Sequence, residues 1–156
     1  MRHLALLVPV ALCALAACGE ELPEYTHSSA ALFDEDWRTQ YTRVVTCKES
    51  PTHNVNHIET WVSADALEAY QDRTRTFPLG SVVLKAQYDG PGCDDQEVAF
   101  TVMKKLVEEP ATELEHWDWQ RVEADGSLGY DPVSPGFCGD CHTGCNQGSF
   151  MCDLPE

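Results

Sequence analysis

The 156-residue chain is strongly acidic, with 26 Asp and Glu residues against 10 Lys and Arg residues and a formal net charge of −16. A surface of this sign repels nucleic acids and anionic membranes, which excludes proteins that bind either one by charge. The length is sufficient for one domain with a real hydrophobic core.

The first residues have the pattern of an export signal. Arg2 precedes an apolar run over residues 4–17, which is shorter than the roughly 20 residues of a membrane-spanning helix. The run ends in Leu-Ala-Ala before Cys18, and small residues before a cysteine resemble the lipobox of bacterial lipoproteins. We therefore expect a signal peptide over residues 1–17, lipidation of Cys18 and a tether over residues 18–27. The alternative is an ordinary signal with a cysteine nearby.

This segment also predicts where the protein resides. No Asp follows Cys18, which in lipoprotein sorting favours the outer membrane. The expected location is the bacterial cell envelope, facing the periplasm and held to the membrane by the lipid anchor alone.

The remaining domain, residues 28–156, is predicted to be mainly β. Apolar residues at three- and four-residue steps predict a leading helix over residues 30–45, and Ser63 can cap a short helix over residues 63–71. Alternating or β-branched segments predict strands over residues 55–62, 81–88, 97–107 and 116–122. The expected fold is an antiparallel sheet with an N-terminal helix, one or two short helices and a C-terminal segment that attaches a cofactor.

The chain has eight cysteines, and they fall into groups. Cys13 belongs to the predicted signal, Cys18 is the predicted anchor, and two more form the motif described next. Four cysteines are left, and disulfides persist in exported proteins. Three pairings of these four are open, and we favour Cys47 with Cys93 and Cys145 with Cys152.

The stretch FCGDCHTG, residues 137–144, contains the C-x-x-C-H pattern that attaches c-type haem. Two thiols at this spacing add to the two vinyl groups on one edge of the porphyrin. The next residue then lies under the ring, where its imidazole can bind the iron. The motif therefore predicts thioether bonds to Cys138 and Cys141, with His142 as the axial ligand of one haem c.

Two other chemistries compete for the same residues. A thioredoxin-like dithiol requires a βαβ context with the motif at a helix N-terminus, and the preceding sequence predicts neither. A structural zinc site would use thiolates and imidazole, and the candidate ligands are Cys138, Cys141, His142, Cys145 and Cys152.

The order of several segments resembles the cytochrome P-460 family of exported c-type cytochromes, which includes cytochrome c′-beta. The matching segments run through most of the expected mature chain, from DWRTQYTRV, SPTHN and ETWVSADALEAY through TFPLGSVVLKAQY, FTVMKKL and HWDWQRV to CGDCH. The resemblance implies a largely β domain, often dimeric, that holds one haem with a five-coordinate iron. His142 would match the axial ligand, and Cys138 and Cys141 would match the thioether cysteines.

The positions of the lysines indicate which branch of that family the chain resembles more. Enzymatic members oxidise hydroxylamine or its products and carry a bond between a lysine and the porphyrin. Non-enzymatic members bind small gases such as nitric oxide. The cross-link lysine belongs on the strand after His53, but residues 55–62 contain no lysine. Lys85 is the other candidate, although a lysine in the middle of a strand ordinarily faces solvent.

The expected function is therefore an exported mono-haem cytochrome that carries electrons or binds small nitrogen oxides. The partners would be a small ligand or a redox protein, with a homodimer implied by the resemblance. Two alternatives stay open, a hydroxylamine-oxidising enzyme and a haem-free lipoprotein with disulfides or zinc.

Further residues could serve the site, although each has an ordinary structural role as its alternative. Candidates for shaping the pocket or packing on the haem edge are Phe33, Trp61, Phe77, Phe100, Trp117 and Trp119. Candidates for a further iron ligand or for handling protons are Met103, Met151, His53, His57, Glu59 and Glu97.

Overall fold

The computed structural model describes residues 28–50, 55–108, 114–129, 135–145 and 151–152. These residues form a five-stranded antiparallel sheet in the order β1-β2-β3-β4-β5, so each strand pairs with its neighbour in sequence. The strands are β1 (Thr42–Glu49), β2 (His57–Val62), β3 (Val82–Tyr88), β4 (Ala99–Lys105) and β5 (Trp117–Glu123). The prediction of a mainly β fold with short helices is confirmed.

The helices of the described residues are all short. They are α1 (Trp37–Gln40), α2 (Leu67–Gln71) and α3 (Pro135–His142), with 3-10 turns at Ala64–Ala66 and Leu114–His116. Within the described ranges, none is long and apolar enough to cross a bilayer. The signal peptide, the tether and Cys18 lie outside the described residues.

The leading helix is much shorter than predicted, because its second half is a strand. Only Trp37–Gln40 are helical, Tyr41 is already extended, and β1 begins at Thr42. The β-branched residues of this segment fit a pleated strand better than a helix. The pairing of β1 with β2 shifts on either side of Val45, which is the one buried residue of this strand, so β1 lacks the regular alternation that would have predicted a strand.

The sheet is covered on both faces, so β3 is buried along its whole length. We call one side the aromatic face; its core is Leu32, Trp37, Val82, Leu84, Ala86, Tyr88 and Val102, with Phe33, Tyr41, Trp61 and Phe100 packed against it. We call the other side the cavity face; its core includes Val45, Val62, Tyr70, Phe77, Val83, Met103, Trp117, Trp119 and Met151.

Two disulfides are present, and both match the pairing favoured from the sequence. Cys47 of β1 is bonded to Cys93 in the β3–β4 connection, with the Cα atoms 5.7 Å apart. Cys145 is bonded to Cys152, with the Cα atoms 4.8 Å apart. The first links the edge strand β1 to the connection between β3 and β4, and the second joins two cysteines that follow α3 and are seven residues apart.

Candidate functional site

Helix α3 carries both cysteines of the C-x-x-C-H motif and its histidine. Cys138 and Cys141 are three residues apart and His142 is four residues after Cys138, so all three lie on neighbouring positions of the helix surface. Gly139 is buried against the side chain of Leu114, and a Cβ at Gly139 would collide with that leucine. The glycine therefore lets α3 approach the 3-10 turn that precedes β5.

A mostly apolar cavity of about 280 Å³ lies between α3 and the cavity face of the sheet. This volume is close to the lower end of the roughly 300–1,000 Å³ typical of cofactor and ligand pockets. Its lining includes Thr60, Tyr70, Val83, Lys85, Thr101, Met103, Trp119, Cys138, Cys141, His142, Met151 and Cys152. The fold thus brings the complete motif to one cavity whose opposite wall is the sheet.

Trp119 positions the imidazole of His142. The indole N–H of Trp119 donates a hydrogen bond of 3.0 Å to the carbonyl of Leu114, which fixes the indole against the backbone. The His142 ring packs edge-on against this indole with the centroids 4.9 Å apart. Edge-to-face packing of this kind restricts ring rotation and contributes about 0.5–1.5 kcal/mol. The histidine is therefore oriented by a residue from the sheet.

The two motif thiols are distinct from the other cysteines that the structure describes. Cys138 and Cys141 are free, whereas Cys47, Cys93, Cys145 and Cys152 are all in disulfides. Burial, and then the neighbouring Cys141, raises the pKa of the Cys138 thiol to about 11. Redox dithiols and zinc ligands need a thiolate, which a lowered pKa favours. Cys138 has the opposite environment and is a neutral thiol at pH 7.

The Cys145–Cys152 disulfide bears on the zinc alternative. Ligand atoms of His142, Cys145 and Cys152 lie within 4.8 Å of one another, a spacing that could hold a metal ion. The two sulfurs of this group are bonded to each other, however, so they are not thiolate ligands in this arrangement. The same disulfide holds Met151, which is buried, in the cavity wall.

Lys85 was expected to face solvent, and this expectation is wrong. The side chain is only 9% exposed and lines the same cavity as the motif. The alternation along β3 correctly separates Lys85 from Leu84 and Ala86, which lie on the aromatic face. The error arises because α3, about fifty residues later in the chain, covers the face on which Lys85 lies.

The other sequence candidates divide between the two faces. Phe33, Trp61 and Phe100 form part of the aromatic face, together with Trp37. They therefore do not shape the cavity, which is on the other side of the sheet. Phe77 belongs to the core of the cavity face, where its ring packs against Trp117 at 5.4 Å, but neither ring lines the cavity.

The acidic candidates are also on the aromatic face. Glu59 accepts hydrogen bonds from Arg43 at 2.6 Å and from the Tyr88 hydroxyl at 3.1 Å. Glu97 lies 3.4 Å from the same hydroxyl, whose single hydrogen can be donated to one of the two carboxylates at a time. These contacts make both carboxylates part of a network that cannot pass protons directly to the cavity.

Of the remaining candidates, the two methionines and one tryptophan reach the cavity. Met103 and Met151 both line it, as does Trp119. His57 lies at the start of β2, where its Nδ1 is 3.0 Å from the carbonyl of Gly90. His53 lies outside the described residues.

Sequence reasoning missed Tyr70, Thr60 and Thr101 as cavity residues. Tyr70 lies on α2, and its ring is stacked by the guanidinium of Arg73 at 4.4 Å. Thr60 and Thr101 lie directly opposite Lys85 on the two strands beside β3. The signal that could have found the threonines is strand register, which a single sequence does not supply.

A scan of the chain against protein-family models finds no match. A search of curated proteins likewise finds none.

Proposed function

We propose that this chain is an exported c-type cytochrome that holds one haem through Cys138, Cys141 and His142. The observation that carries the proposal is the arrangement of these three residues. Two free thiols and an imidazole lie on one helix and line one mostly apolar cavity. The other cysteines among the described residues are in disulfides, so they do not compete for the cofactor.

The residues present fit the chemistry of the group. Thioether formation adds a thiol S–H across a vinyl group, and the neutral Cys138 thiol supplies that form. Cavity residues with no charge, including Val83, Met103 and Trp119, suit the face of a porphyrin. Bound haem would supply an iron centre that changes oxidation state and accepts small ligands.

The proposal includes two activities for this site, electron transfer and the binding of small nitrogen oxides. Trp119 would hold the ring of His142 at a fixed angle in either case. Met103 and Met151 would decide between them, because a thioether at the sixth position favours electron transfer and an open position admits a ligand. The resemblance to the cytochrome P-460 family favours the open position.

The decisive experiment is production of the full chain in a bacterial host with cytochrome c assembly machinery. Intact mass under denaturing conditions should equal the processed chain plus one haem, because thioether bonds survive unfolding. The double variant Cys138→Ala/Cys141→Ala should contain none. The matched control is Cys47→Ala/Cys93→Ala, which removes two cysteines outside the cavity and should keep the haem. A colourless wild type whose motif thiols are joined to each other or bound to zinc would refute the proposal.

A second candidate function is oxidation of hydroxylamine, and the location of Lys85 favours it. The amine-bearing side chain lines the cavity that would hold the porphyrin, as a covalent lysine–porphyrin bond requires. Digestion with trypsin distinguishes the two functions. A cross-linked Lys85 blocks cleavage after residue 85 and yields one haem peptide that contains parts of both β3 and α3. Normal cleavage after Lys85, with haem only on the α3 peptide, would exclude the cross-link.

A further inference from the structure

A second set of ligand atoms lies at the end of α3 and does not include the two motif thiols. It consists of the imidazole of His142 and the sulfurs of Cys145 and Cys152, whose ligand atoms all lie within 4.8 Å of one another. In a tetrahedral zinc site with these donors, neighbouring ligand atoms are about 3.5–3.8 Å apart. Once the sulfur–sulfur bond is broken, movements of about 1–2 Å would bring the three atoms to that spacing.

The backbone places Cys145 beside His142 without help from the disulfide. The amide of Cys145 donates a hydrogen bond of 3.0 Å to the carbonyl of His142, and the amide of Gly144 donates to the carbonyl of Cys141 at 3.3 Å. The Sγ atom of Cys145 lies 3.7 Å from the same Cys141 carbonyl oxygen. Because these contacts join residues close together in the sequence, we expect them to remain after reduction.

Cys152 can return to this position after reduction, because the chain that joins it to Cys145 is short. The two cysteines are seven residues apart, and closing a short loop costs less chain entropy than closing a long one. Cys152 is exposed, so a reductant can reach the disulfide from solvent. A metal ion bound by both sulfurs would close the same loop as the disulfide does.

The two redox states of this cysteine pair differ in their metal chemistry. In the disulfide neither sulfur is a thiolate, and the thiolate is the form that binds metal ions. A dithiol reductant transfers two electrons and two protons, becomes a disulfide itself, and leaves Cys145 and Cys152 as thiols. Binding of Zn²⁺ then releases both thiol protons and creates two thiolate ligands. With the imidazole of His142 the set has three protein ligands, and water completes the tetrahedron.

The donor set selects the class of metal ion. Two thiolates and one imidazole suit zinc and similar thiophilic ions, whereas magnesium and calcium require oxygen ligands. The motif thiols Cys138 and Cys141 are outside this set. The site therefore differs from a zinc site that would use the C-x-x-C pair.

We propose that the Cys145–Cys152 disulfide controls a metal site, so that the reduced chain binds one Zn²⁺ through His142, Cys145 and Cys152 and the oxidised chain binds none. The site itself does not depend on haem. One consequence rests on the proposed function, because the site shares His142 with the haem. Haem attachment needs Cys138 and Cys141 as thiols, so a reductant has to act on this segment, and closing the disulfide afterwards frees His142 from zinc for the iron.

The test uses the full chain with Cys138→Ala/Cys141→Ala. This variant lacks the haem, whose absorption would hide the bands of a cobalt probe, and it lacks the competing motif thiols. The protein is reduced with a water-soluble phosphine, which becomes a phosphine oxide. Zinc affinity is measured by competition with a chromophoric chelator, and Co²⁺ reports thiolate ligands by its visible absorption. We expect one Zn²⁺ per reduced chain, cobalt–thiolate bands, and no zinc in the oxidised chain.

Further substitutions in the same background identify the ligands. Cys145→Ala/Cys152→Ala should abolish zinc binding, and His142→Ala should weaken it at least tenfold. The matched control Cys47→Ala/Cys93→Ala also removes one disulfide and should keep the zinc; loss of zinc in this control would contradict the site. If Cys145→Ala/Cys152→Ala does not fold, His142→Ala carries the test, since it keeps both thiols. Zinc should also raise the melting temperature of the reduced protein, because only binding to the folded chain does so.

The outcomes separate this proposal from the haem proposal. A haem-loaded wild type whose reduced Cys138→Ala/Cys141→Ala variant binds no zinc would refute the metal site alone. A colourless wild type in which zinc binding requires Cys145 and Cys152 would refute the haem proposal and support the metal site. Equal zinc binding by oxidised and reduced protein, an affinity unchanged by His142→Ala, or a melting temperature that zinc does not raise would each overturn the metal site.

Discussion

The two disulfides should contribute unequally to stability, because they close loops of very different length. Cys47 and Cys93 are separated by 46 residues, and Cys145 and Cys152 by seven. Loop-closure entropy in the unfolded chain then gives about 4 kcal/mol for the first bond and about 2.4 kcal/mol for the second. The first bond also holds β1, an edge strand whose pairing with β2 is broken at two places.

Thermal unfolding followed by circular dichroism measures both contributions. For a domain of this size, 1 kcal/mol corresponds to roughly 4 °C in melting temperature. We expect Cys47→Ala/Cys93→Ala to lower the melting temperature by about 16 °C and Cys145→Ala/Cys152→Ala by about 10 °C. Treatment of the wild type with a dithiol reductant should give a decrease at least as large as that of the first variant.

The order of the two decreases in melting temperature tests the reasoning from loop length. If Cys145→Ala/Cys152→Ala lowered the melting temperature as much as the other variant or more, loop-closure entropy would not be the main source of stabilisation by the disulfides. The short disulfide would then stabilise the folded state directly, through the packing of Met151 in the cavity wall. Ligand binding gives an independent check. Only Cys145→Ala/Cys152→Ala releases Met151, so only this variant should change the affinity of the cavity for a ligand.

Two further predictions test the proposed lipid anchor at Cys18 and the proposed role of His142 as a haem ligand. Cys18→Ala should move the exported protein from the membrane fraction to the soluble fraction, as judged by fractionation without detergent; retention on the membrane would contradict lipidation at this cysteine. If the protein binds haem as proposed, Trp119→Phe should shift the absorption bands of the haem-loaded protein, because it changes the contact that orients His142. Trp117→Phe is the matched control, since Trp117 is fully buried but packs on Phe77. It should reduce stability without a spectral shift, and equal spectra for both variants would contradict the orienting role.

The sequence predicted four of the five described strands well, because the signal for each strand lies within its own segment. Alternation and β-branched residues predicted strands over 55–62, 81–88, 97–107 and 116–122, and each overlaps an observed strand closely. These segments are paired in regular register with their neighbours, so their side-chain period is two throughout. β1 was missed because its irregular pairing interrupts that period.

The grouping of Cys138, Cys141 and His142 could be predicted from the sequence, because the C-x-x-C-H motif is contained within one helix. Cys138, Cys141 and His142 occupy a single stretch, and no other part of the chain is needed to bring them together. The favoured disulfide pairing had less support in the sequence, since three pairings were open. The structure confirms it, with Cys93 reaching β1 from the connection between β3 and β4.

The placement of Thr60, Lys85 and Thr101 in the cavity lining could not be predicted, because it depends on contacts between residues that are far apart in the sequence. The alternation of β3 shows that Lys85 is opposite Leu84, but it does not show which face is covered or by what. The partners Thr60 and Thr101 follow from register across two hairpins, and the cover follows from the packing of α3 against the sheet. A charged residue in a strand is therefore weak evidence of exposure when the strand is central and both faces are packed. In this chain, Lys85 would be expected in water from its charge, but it is buried and lines the cavity.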